Sequence, residues 1–309
     1  MTRALKNAVK RVMRWSFEIG QRCGWDVLPR HFYSEVPDLR KLKRTTAWKR
    51  PYSMTGVAGW EIDTQAEFVR SLVPPELVER LARGDIHPAA CERNGEPGFG
   101  LIEAECLFAF VLKHKPQRIV QIGCGVSTAV CLHAAAEAGY RPDVACVEPY
   151  PTAFLRSAAG RGEVRLIPTA VENLPPDQVV GGLTAGDLLF VDSSHALGPA
   201  GEVSRVVLEL LPRLTPGVTV HFHDIYFPYD YPGDLLTGAL FFHHESALLH
   251  AFLAFNRRFR LLAALSALHH LRPDSLRELF RNYRPRGNDD GLTATPGHFP
   301  SSAYLLSNS

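Results

Sequence analysis

Four side chains that could bind a metal ion or move a proton follow two short apolar runs in the second half of the chain. Asp192 and His195 come after LLFV, and His223 and Asp224 come after VTVHF. Side chains at the carboxyl ends of parallel strands meet at one edge of a sheet, where open α/β sheets bind their ligands. We therefore expect these four groups to lie together in a crevice.

Two kinds of chemistry fit this group. In the first, Asp192, His223 and Asp224 bind Mg²⁺ or another divalent ion, which lowers the pKa of a substrate hydroxyl. A histidine ligand shifts the preference toward Mn²⁺, Fe²⁺ or Zn²⁺. In the second, no metal is bound, and His195 or His223 accepts the substrate's proton as a general base. His195, His223 and Asp224 are the catalytic candidates under these two alternatives, whereas His221, inside the run, is expected to be structural.

A glycine-rich turn, QIGCGVST, follows an earlier β-branched run at residues 121–128. Gly123 and Gly125 let the backbone approach a ligand, and the helix that follows offers free N–H groups. A dinucleotide fingerprint needs a third glycine where Thr128 stands, so an NAD(P)-dependent oxidoreductase is disfavoured. Glu148 ends the next run, 23 residues after Gly125, and a carboxylate there can accept both hydrogen bonds of a ribose diol. The two features together predict a ribose-bearing ligand.

Strand and helix patterns alternate around these residues. This alternation predicts an α/β fold with a doubly wound, mostly parallel sheet that is covered by helices on both faces. A last strand at 301–307 is expected to run antiparallel, and the apolar run at 260–268 is of ambiguous type. The predicted parallel strands lie at 118–123, 144–149, 164–169, 187–194 and 217–224.

The N-terminal part of the chain has a different character. We expect residues 1–97 to form a helical, basic accessory region and residues 98–309 to form the catalytic domain. Residues 1–50 hold 13 Lys and Arg against 4 Asp and Glu, although the whole chain has a net charge of only +2. Residues 1–20 alternate apolar and basic residues at helical spacing, which suits a helix on an anionic membrane surface or, our preferred alternative, a helix docked on its own domain with a solvated basic face. They lack the continuous apolar run of a signal peptide or a membrane span.

Four segments in order, RIVQIGCGVST, VEPYP, LLFVDSSH and VHFHDIYFPYDYP, resemble class I S-adenosylmethionine-dependent methyltransferases. Within that class they are similar to the bacterial subgroup that includes sugar and natural-product O-methyltransferases. The similarity covers about residues 98–309. It implies a Rossmann-like methyltransferase fold, S-adenosylmethionine as cofactor, and O-methylation of a small-molecule or carbohydrate-like acceptor. The alternative is a non-catalytic binding protein that retains the fold.

The resemblance also implies which residues bind the cofactor. The glycine-rich turn would lie against its methionine part, Glu148 would bind the ribose hydroxyls, and Glu172 would lie near the adenine. Asp192 would lie at the methionine end and face the substrate. The class usually has Glu or Asp where Gln121 stands, and the neutral amide removes a negative charge near the sulfonium. The implied set is Gln121, Gly123, Gly125, Ser127, Thr128, Glu148, Glu172 and Asp192.

The composition indicates which cellular compartment and which partners to expect. The six cysteines include no CxxC pair, so we expect reduced thiols in a cytoplasmic protein, peripheral to the membrane if residues 1–20 bind one. The chain after residue 50 is net acidic, and DSSH stands where base-methylating enzymes carry (D/N)PP(Y/F), so nucleic acid is not an expected partner. A small-molecule acceptor is expected, while a protein contact through residues 1–20 and a homo-oligomer stay open.

Overall fold

The computed structural model describes residues 3–32, 34, 36–233, 235–284 and 300–309, with side chains from residue 9 onward. It divides into two compact units, Met1–Leu42 and Lys43–Ser309. This division differs from the predicted boundary between residues 97 and 98. Residues 43–97 fall in the second unit because their helices supply fully buried side chains, among them Leu72 and Leu81, to its core.

The first unit contains α1 (Arg3–Arg22) and α2 (Leu39–Leu42). On α1, Val12 and Trp15 are each 64% exposed, and Arg14 forms an ion pair with Glu18 at 3.4 Å. Within the described residues, no helix has both the length and the apolar character that a bilayer span requires.

A seven-stranded sheet organises the second unit. Its strands are β1 (Arg118–Ile122), β2 (Asp143–Val147), β3 (Arg165–Ile167), β4 (Leu188–Val191), β5 (Thr219–Phe222), β6 (Phe259–Ala264) and β7 (Ala303–Ser307). Their spatial order is β3-β2-β1-β4-β5-β7-β6. Strands β1 to β5 pair in parallel, and β7 runs antiparallel to both β5 and β6. The predicted doubly wound sheet with an antiparallel C-terminal strand is confirmed.

Helices cover both faces of this sheet. They are α3 (Ile62–Leu72), α4 (Pro75–Leu81), α5 (Ile86–Asn94), α6 (Leu101–His114), α7 (Val126–Glu137), α8 (Ala153–Gly160), α9 (Pro176–Val180), α10 (Glu202–Arg205), α11 (Glu245–Leu253), α12 (Leu265–Leu271) and α13 (Pro273–Leu279). Short 3₁₀ turns lie at Ala47–Lys49, Val171–Asn173 and Leu211–Arg213, and π turns at Val206–Leu210 and Leu235–Ala239.

The strands have apolar sequences because helices bury both faces of the sheet. Consecutive residues Ile119 and Val120 of β1 belong to two different core clusters, one on each face. A strand that is covered on both faces is apolar throughout rather than alternating. The ambiguous run at 260–268 is a strand followed by a helix, because β6 ends at Ala264 and α12 begins at Leu265.

The register of the central strands positions the candidate site. Ile122 of β1 pairs with Val191 of β4, which pairs with Phe222 of β5. The ladder continues one residue further, since the N–H of Asp192 donates to the carbonyl of Ile122 at 2.8 Å and that of His223 donates to the carbonyl of Val191 at 2.9 Å. The residues that follow β1, β4 and β5 are therefore neighbours at the carboxyl edge.

Candidate functional site

The glycine-rich turn joins β1 to α7 and is held from beneath. Gly123 has φ 79°, and a Cβ atom there would lie 1.8 Å from the carbonyl oxygen of Asp192, so the position requires glycine. Gln121 is fully buried under the turn. Its Oε1 accepts a hydrogen bond from Oγ1 of Thr128 at 2.6 Å, and its Nε2 donates to Oγ of Ser127 at 3.4 Å. Gln121 and Thr128 thus brace the turn by hydrogen bonds that need no negative charge.

Glu148, directly after β2, ties the next loop to this turn. Its Oε2 accepts from the backbone N–H of Cys124 at 3.1 Å, and its Oε1 accepts from the N–H of Tyr150 at 2.8 Å. The side chain is half-buried. Each carboxylate oxygen has further lone pairs, so the group is fixed in place and can still accept from a ligand.

A cleft of about 260 Å³ opens beside the turn and Glu148. Four of the implied cofactor residues line it, namely Gly125, Ser127, Glu148 and Asp192. The other four do not line it. Gln121, Gly123 and Thr128 lie in or under the turn, and Glu172 is exposed on the turn Val171–Asn173.

The segment 94–99 forms a further wall of the cleft that the sequence analysis did not predict. Asn94 is buried, and its Oδ1 accepts from Oγ1 of Thr152 at 3.0 Å. The ring of Phe99 lies 4.8 Å from that of His223, centroid to centroid. The segment ERNGEPGF has only a turn-forming composition, so its sequence carries no signal of this role.

Asp192, His195, His223 and Asp224 meet at the end of the cleft, as the strand positions predict. Oδ1 of Asp192 lies 3.5 Å from Nε2 of His195 and 3.2 Å from Nδ1 of His223. Oδ2 of Asp224 lies 3.6 Å and 3.8 Å from the same two nitrogens. We call these four residues the Asp/His cluster. Asp192 belongs both to the cluster and to the wall of the cleft.

Two residues of the Asp/His cluster have left-handed backbone conformations. His195 has φ 58° and Asp224 has φ 53°. Such conformations cost about 1–3 kcal/mol each outside glycine and persist where the surrounding structure imposes them. Strict alternation along a strand would point Asp224 away from His223, but β5 ends at Phe222. The reversed backbone after the strand returns the Asp224 carboxylate to the cluster.

Buried carboxylates lie behind both histidines of the cluster. Nδ1–H of His195 donates to Oε2 of Glu245 at 2.6 Å, and Glu245 has no exposed surface. Nε2 of His223 lies 4.0 Å from Oε1 of Glu103, which is 3% exposed. Oε1 of Glu103 also accepts from the N–H of Ser301 at 2.7 Å. The sequence analysis did not predict the role of Glu103, although a charged residue that interrupts an apolar helical run is a signal that could have identified it. For Glu245 a capping role at the start of its helix is sufficient from sequence, and a pocket role stays open there.

The charges of the cluster stabilise one another. Burial opposes the charged form of His223, but Asp224 and Asp192 outweigh it and raise the pKa of His223 to about 10. Burial likewise opposes charging of His195, yet Asp192 and Glu245 hold its pKa well above the usual range. For Asp192 burial is again unfavourable to the charge, and His223 and His195 bring its pKa well below the usual value.

The neighbouring aromatic residues are structural. His221 is fully buried, its Nε2 lies 2.8 Å from Oγ of Ser302, and burial holds its pKa well below the usual range. Tyr226 and Tyr231 are buried, with ring centroids 5.1 Å apart. The hydroxyl of Tyr226 donates to Oδ1 of Asp224 at 3.3 Å. These side chains pack beneath the cluster and do not form an open wall of a pocket.

The donor atoms of the cluster fit a divalent metal ion. Asp192, His195 and His223 each offer one ligand atom, and these atoms all lie within 4.8 Å of one another. The predicted metal set was Asp192, His223 and Asp224. The compact group contains His195 in place of Asp224. Nδ1 of His195 is engaged by Glu245, and its Nε2 points at the two aspartates.

Residues 120–225 match a family model described as a methyltransferase domain. The matched residues run from β1 to just beyond β5 and contain the turn, Glu148 and the Asp/His cluster. The match spans about a third of the chain and makes this part similar to a methyltransferase domain.

A distant relative matches part of the chain. An uncharacterized protein of Archaeoglobus fulgidus is 26% identical over 135 residues, which cover 41% of this chain and 60% of that protein. The chain therefore matches about three fifths of that relative's length.

Solved structures of methyltransferases are also similar, at low identity. The SAH-bound methyltransferase PaMTH1 of Podospora anserina is 15% identical, with a TM-score of 0.40, and the alignment covers 77% of this chain and 89% of that one. A putative methyltransferase from Thermobifida fusca is 12% identical, with a TM-score of 0.36 and coverage of 83% and 97%.

Proposed function

We propose that this chain is an S-adenosylmethionine-dependent methyltransferase that methylates an oxygen of a small-molecule or carbohydrate-like acceptor. One observation carries the proposal. Asp192 lines the cleft and also contacts both histidines of the Asp/His cluster. A cofactor in the cleft would therefore have its reactive end beside groups that can bind an acceptor hydroxyl.

Each wall of the cleft has a part in this scheme. Glu148 accepts hydrogen bonds from the ribose hydroxyls, and Gly125 and Ser127 lie against the methionine part. The Asp192 carboxylate favours the positively charged sulfonium over a neutral thioether. Methyl transfer from a sulfonium needs little acid–base assistance, so holding the acceptor oxygen in line with the methyl group contributes most of the acceleration.

The cluster prepares the acceptor in one of two ways. A divalent ion held by Asp192, His223 and Asp224 would polarise the acceptor hydroxyl and lower its pKa. Without an ion, His195 or His223 would accept the hydroxyl proton in its neutral form. Because the pKa values of both rings are raised, methyl transfer by this route would increase as the pH rises above neutral. The two versions respond differently to a chelator, because EDTA abolishes methyl transfer in the first and leaves it unchanged in the second.

Calorimetry with S-adenosylhomocysteine tests cofactor binding. We expect one molecule to bind per chain, and Glu148→Gln to weaken binding about tenfold to hundredfold, since hydrogen bonds to a charged group contribute about 1.5–3 kcal/mol. Glu67→Gln, an exposed change on α3, is the matched control and should bind like the original chain. Absence of binding to the folded original chain, with S-adenosylmethionine and S-adenosylhomocysteine alike, overturns the proposal.

A non-catalytic binding protein that retains the fold is the second candidate. The neutral Gln121 favours it, because the side chain supplies only hydrogen bonds to the turn. Binding of S-adenosylhomocysteine without methyl transfer to any hydroxylated acceptor supports this candidate. Methyl transfer that is lost in Asp192→Ala excludes it.

We further infer that the first unit contacts an anionic membrane surface. Val12 and Trp15 of α1 are exposed, and so are the charged Lys10, Arg11 and Arg14 of the same helix. An amphipathic helix of this kind can place its apolar side chains in the headgroup region while its basic side chains attract anionic lipids. The protein is then peripheral to a membrane, on its cytoplasmic side.

A further inference from the structure

The two histidines of the Asp/His cluster share one arrangement. In each ring, one nitrogen faces Asp192 and Asp224, and the other faces a buried carboxylate. For His195 these nitrogens are Nε2 and Nδ1, with Glu245 behind the ring. For His223 they are Nδ1 and Nε2, with Glu103 behind the ring. The pattern is therefore repeated after two neighbouring strands, β4 and β5.

The spacing of the inward-facing atoms matches a shared ion. The two aspartate oxygens lie between 3.2 and 3.8 Å from the two histidine nitrogens. Two ligand atoms at about 2.1 Å from one ion, at tetrahedral or octahedral angles, lie about 3.0–3.4 Å apart. The ligand atoms of Asp192, His195 and His223 all lie within 4.8 Å of one another, so contraction of the site brings these three into a first coordination sphere, with Asp224 beside the two histidines.

Burying the carboxylates of Glu245 and Glu103 costs free energy unless each has a hydrogen-bonding or charged partner. Glu245 is fully buried, and its hydrogen bonds are to His195 at 2.6 Å and to Oγ of Ser193 at 3.3 Å. Glu103 contacts Ser301, whose hydroxyl also lies 2.8 Å from Oδ1 of Asp224. A carboxylate behind a ligating imidazole fixes the tautomer, orients the ring and increases its basicity.

We propose that Asp192, His195 and His223 bind one first-row transition-metal ion, that the neighbouring Asp224 moves toward it as a fourth ligand, and that Glu245 and Glu103 are positioning residues that aim the two imidazoles at it. Two imidazole nitrogens with two carboxylates favour Mn²⁺, Fe²⁺, Co²⁺ or Zn²⁺, whereas Mg²⁺ prefers oxygen ligands and retained water. The inference goes beyond methyl transfer and does not depend on it, because ion binding and S-adenosylhomocysteine binding are measured separately.

The test is ion binding to the full-length protein after removal of metals with EDTA. Zn²⁺, Co²⁺, Mn²⁺ and Mg²⁺ are titrated by calorimetry, and the visible absorption of Co²⁺ reports its ligands. We expect one Co²⁺ or Zn²⁺ per chain, with Mg²⁺ at least a hundredfold weaker. His195→Gln should abolish tight binding. His244→Gln, an exposed histidine directly before α11, is the matched control and should leave binding unchanged.

The positioning role has its own readout. Glu245→Gln should lower the affinity for Co²⁺ about tenfold to hundredfold and shift its absorption spectrum, with S-adenosylhomocysteine affinity retained. Should Glu245→Gln fail to fold, Glu103→Gln makes the same test at His223. An affinity and a spectrum unchanged in both variants overturn the positioning role. No stoichiometric ion in the original chain, or Mg²⁺ bound more tightly than Zn²⁺, overturns the metal site.

Discussion

Nδ1 of His195 lies 2.6 Å from Oε2 of Glu245, a carboxylate without exposed surface at the start of α11. Glu245 also suits the positive end of the helix dipole, but that role does not require burial against an imidazole. The contact joins the β4 end of the sheet to a helix that follows β5 by more than twenty residues. It fixes which nitrogen of His195 faces Asp192.

The charge of Asp192 should distinguish the substrate form of the cofactor from its product. We expect Asp192→Asn to raise the Kd of S-adenosylmethionine about fivefold or more relative to that of S-adenosylhomocysteine, because only the former carries a sulfonium. Opposite charges a few ångströms apart at a protein surface contribute roughly 1 kcal/mol or more. Calorimetric titration with both ligands measures the ratio. Asp177→Asn, at an exposed position of α9, should leave the ratio as it is, and an equal ratio in both variants would count against this placement of Asp192.

Gly123 and Gly139 provide a matched pair for the turn. Both have positive φ, 79° and 69°. A Cβ atom at Gly123 would collide with the Asp192 carbonyl, whereas nothing lies within 4 Å of one at Gly139. We expect Gly139→Ala to cost about 1–2 kcal/mol from backbone strain alone. Gly123→Ala should cost more and also abolish S-adenosylhomocysteine binding. Urea unfolding measures the loss of stability, and calorimetry measures binding of S-adenosylhomocysteine. Equal effects of the two substitutions would refute the role given to the turn.

Glu105 should make the stability of the second unit dependent on pH. Burial raises the pKa of Glu105 to about 7, although Asn282 donates a hydrogen bond to it at 2.6 Å and opposes this shift. The unfolded chain has a Glu pKa of about 4.3, so ionisation in the folded state destabilises the protein. This destabilisation grows as the pH rises from about 4 and is complete above about 7.

Replacing this carboxyl therefore has a pH-dependent effect. We expect Glu105→Gln to raise the free energy of unfolding by about 1–3 kcal/mol at pH 8 and to change it little at pH 4. Urea denaturation at the two pH values measures the difference, with the exposed Glu67→Gln as control. A gain of the same size at both pH values would show that the charge of Glu105 is not the cause.

Trp15 should report membrane binding by the first unit. Its indole is 64% exposed on α1. We expect Trp15→Ser to reduce sedimentation with vesicles that contain phosphatidylserine by about threefold or more, since an exposed aromatic side chain contributes roughly 1 kcal/mol or more on burial. Leu208→Ser, at a residue 58% exposed in the second unit, should have no effect. Equal binding to neutral and anionic vesicles would contradict the electrostatic part of the inference.

The parts of the site that local sequence determines were predicted well. The turn around Gly123, the position of Glu148 and the meeting of Asp192 with His223 follow from strand ends, which short β-branched runs mark. Adjacent parallel strands place their carboxyl ends side by side, and this holds independently of how the rest of the chain packs. The expectation for Asp224 depended on where β5 ends, because its direction reverses only through a left-handed backbone.

The parts that depend on tertiary packing were not predicted. Glu103 and Glu245 belong to helices α6 and α11, far from the strand ends in sequence. Only the packing of these helices places their carboxylates behind His223 and His195. The dependence on tertiary packing also explains why the observed domain boundary differs from the predicted one. Residues 43–97 have the composition of an accessory helical region, yet their apolar side chains are buried in the second unit.

A crystal structure of the protein grown with S-adenosylhomocysteine and Mn²⁺ tests the central claim most directly. The account predicts S-adenosylhomocysteine in the cleft, with its ribose hydroxyls on Glu148 and its sulfur toward Asp192. It also predicts one ion held by the Asp/His cluster. S-adenosylhomocysteine bound away from Glu148, or a cleft that excludes it at saturating concentration, would contradict the account.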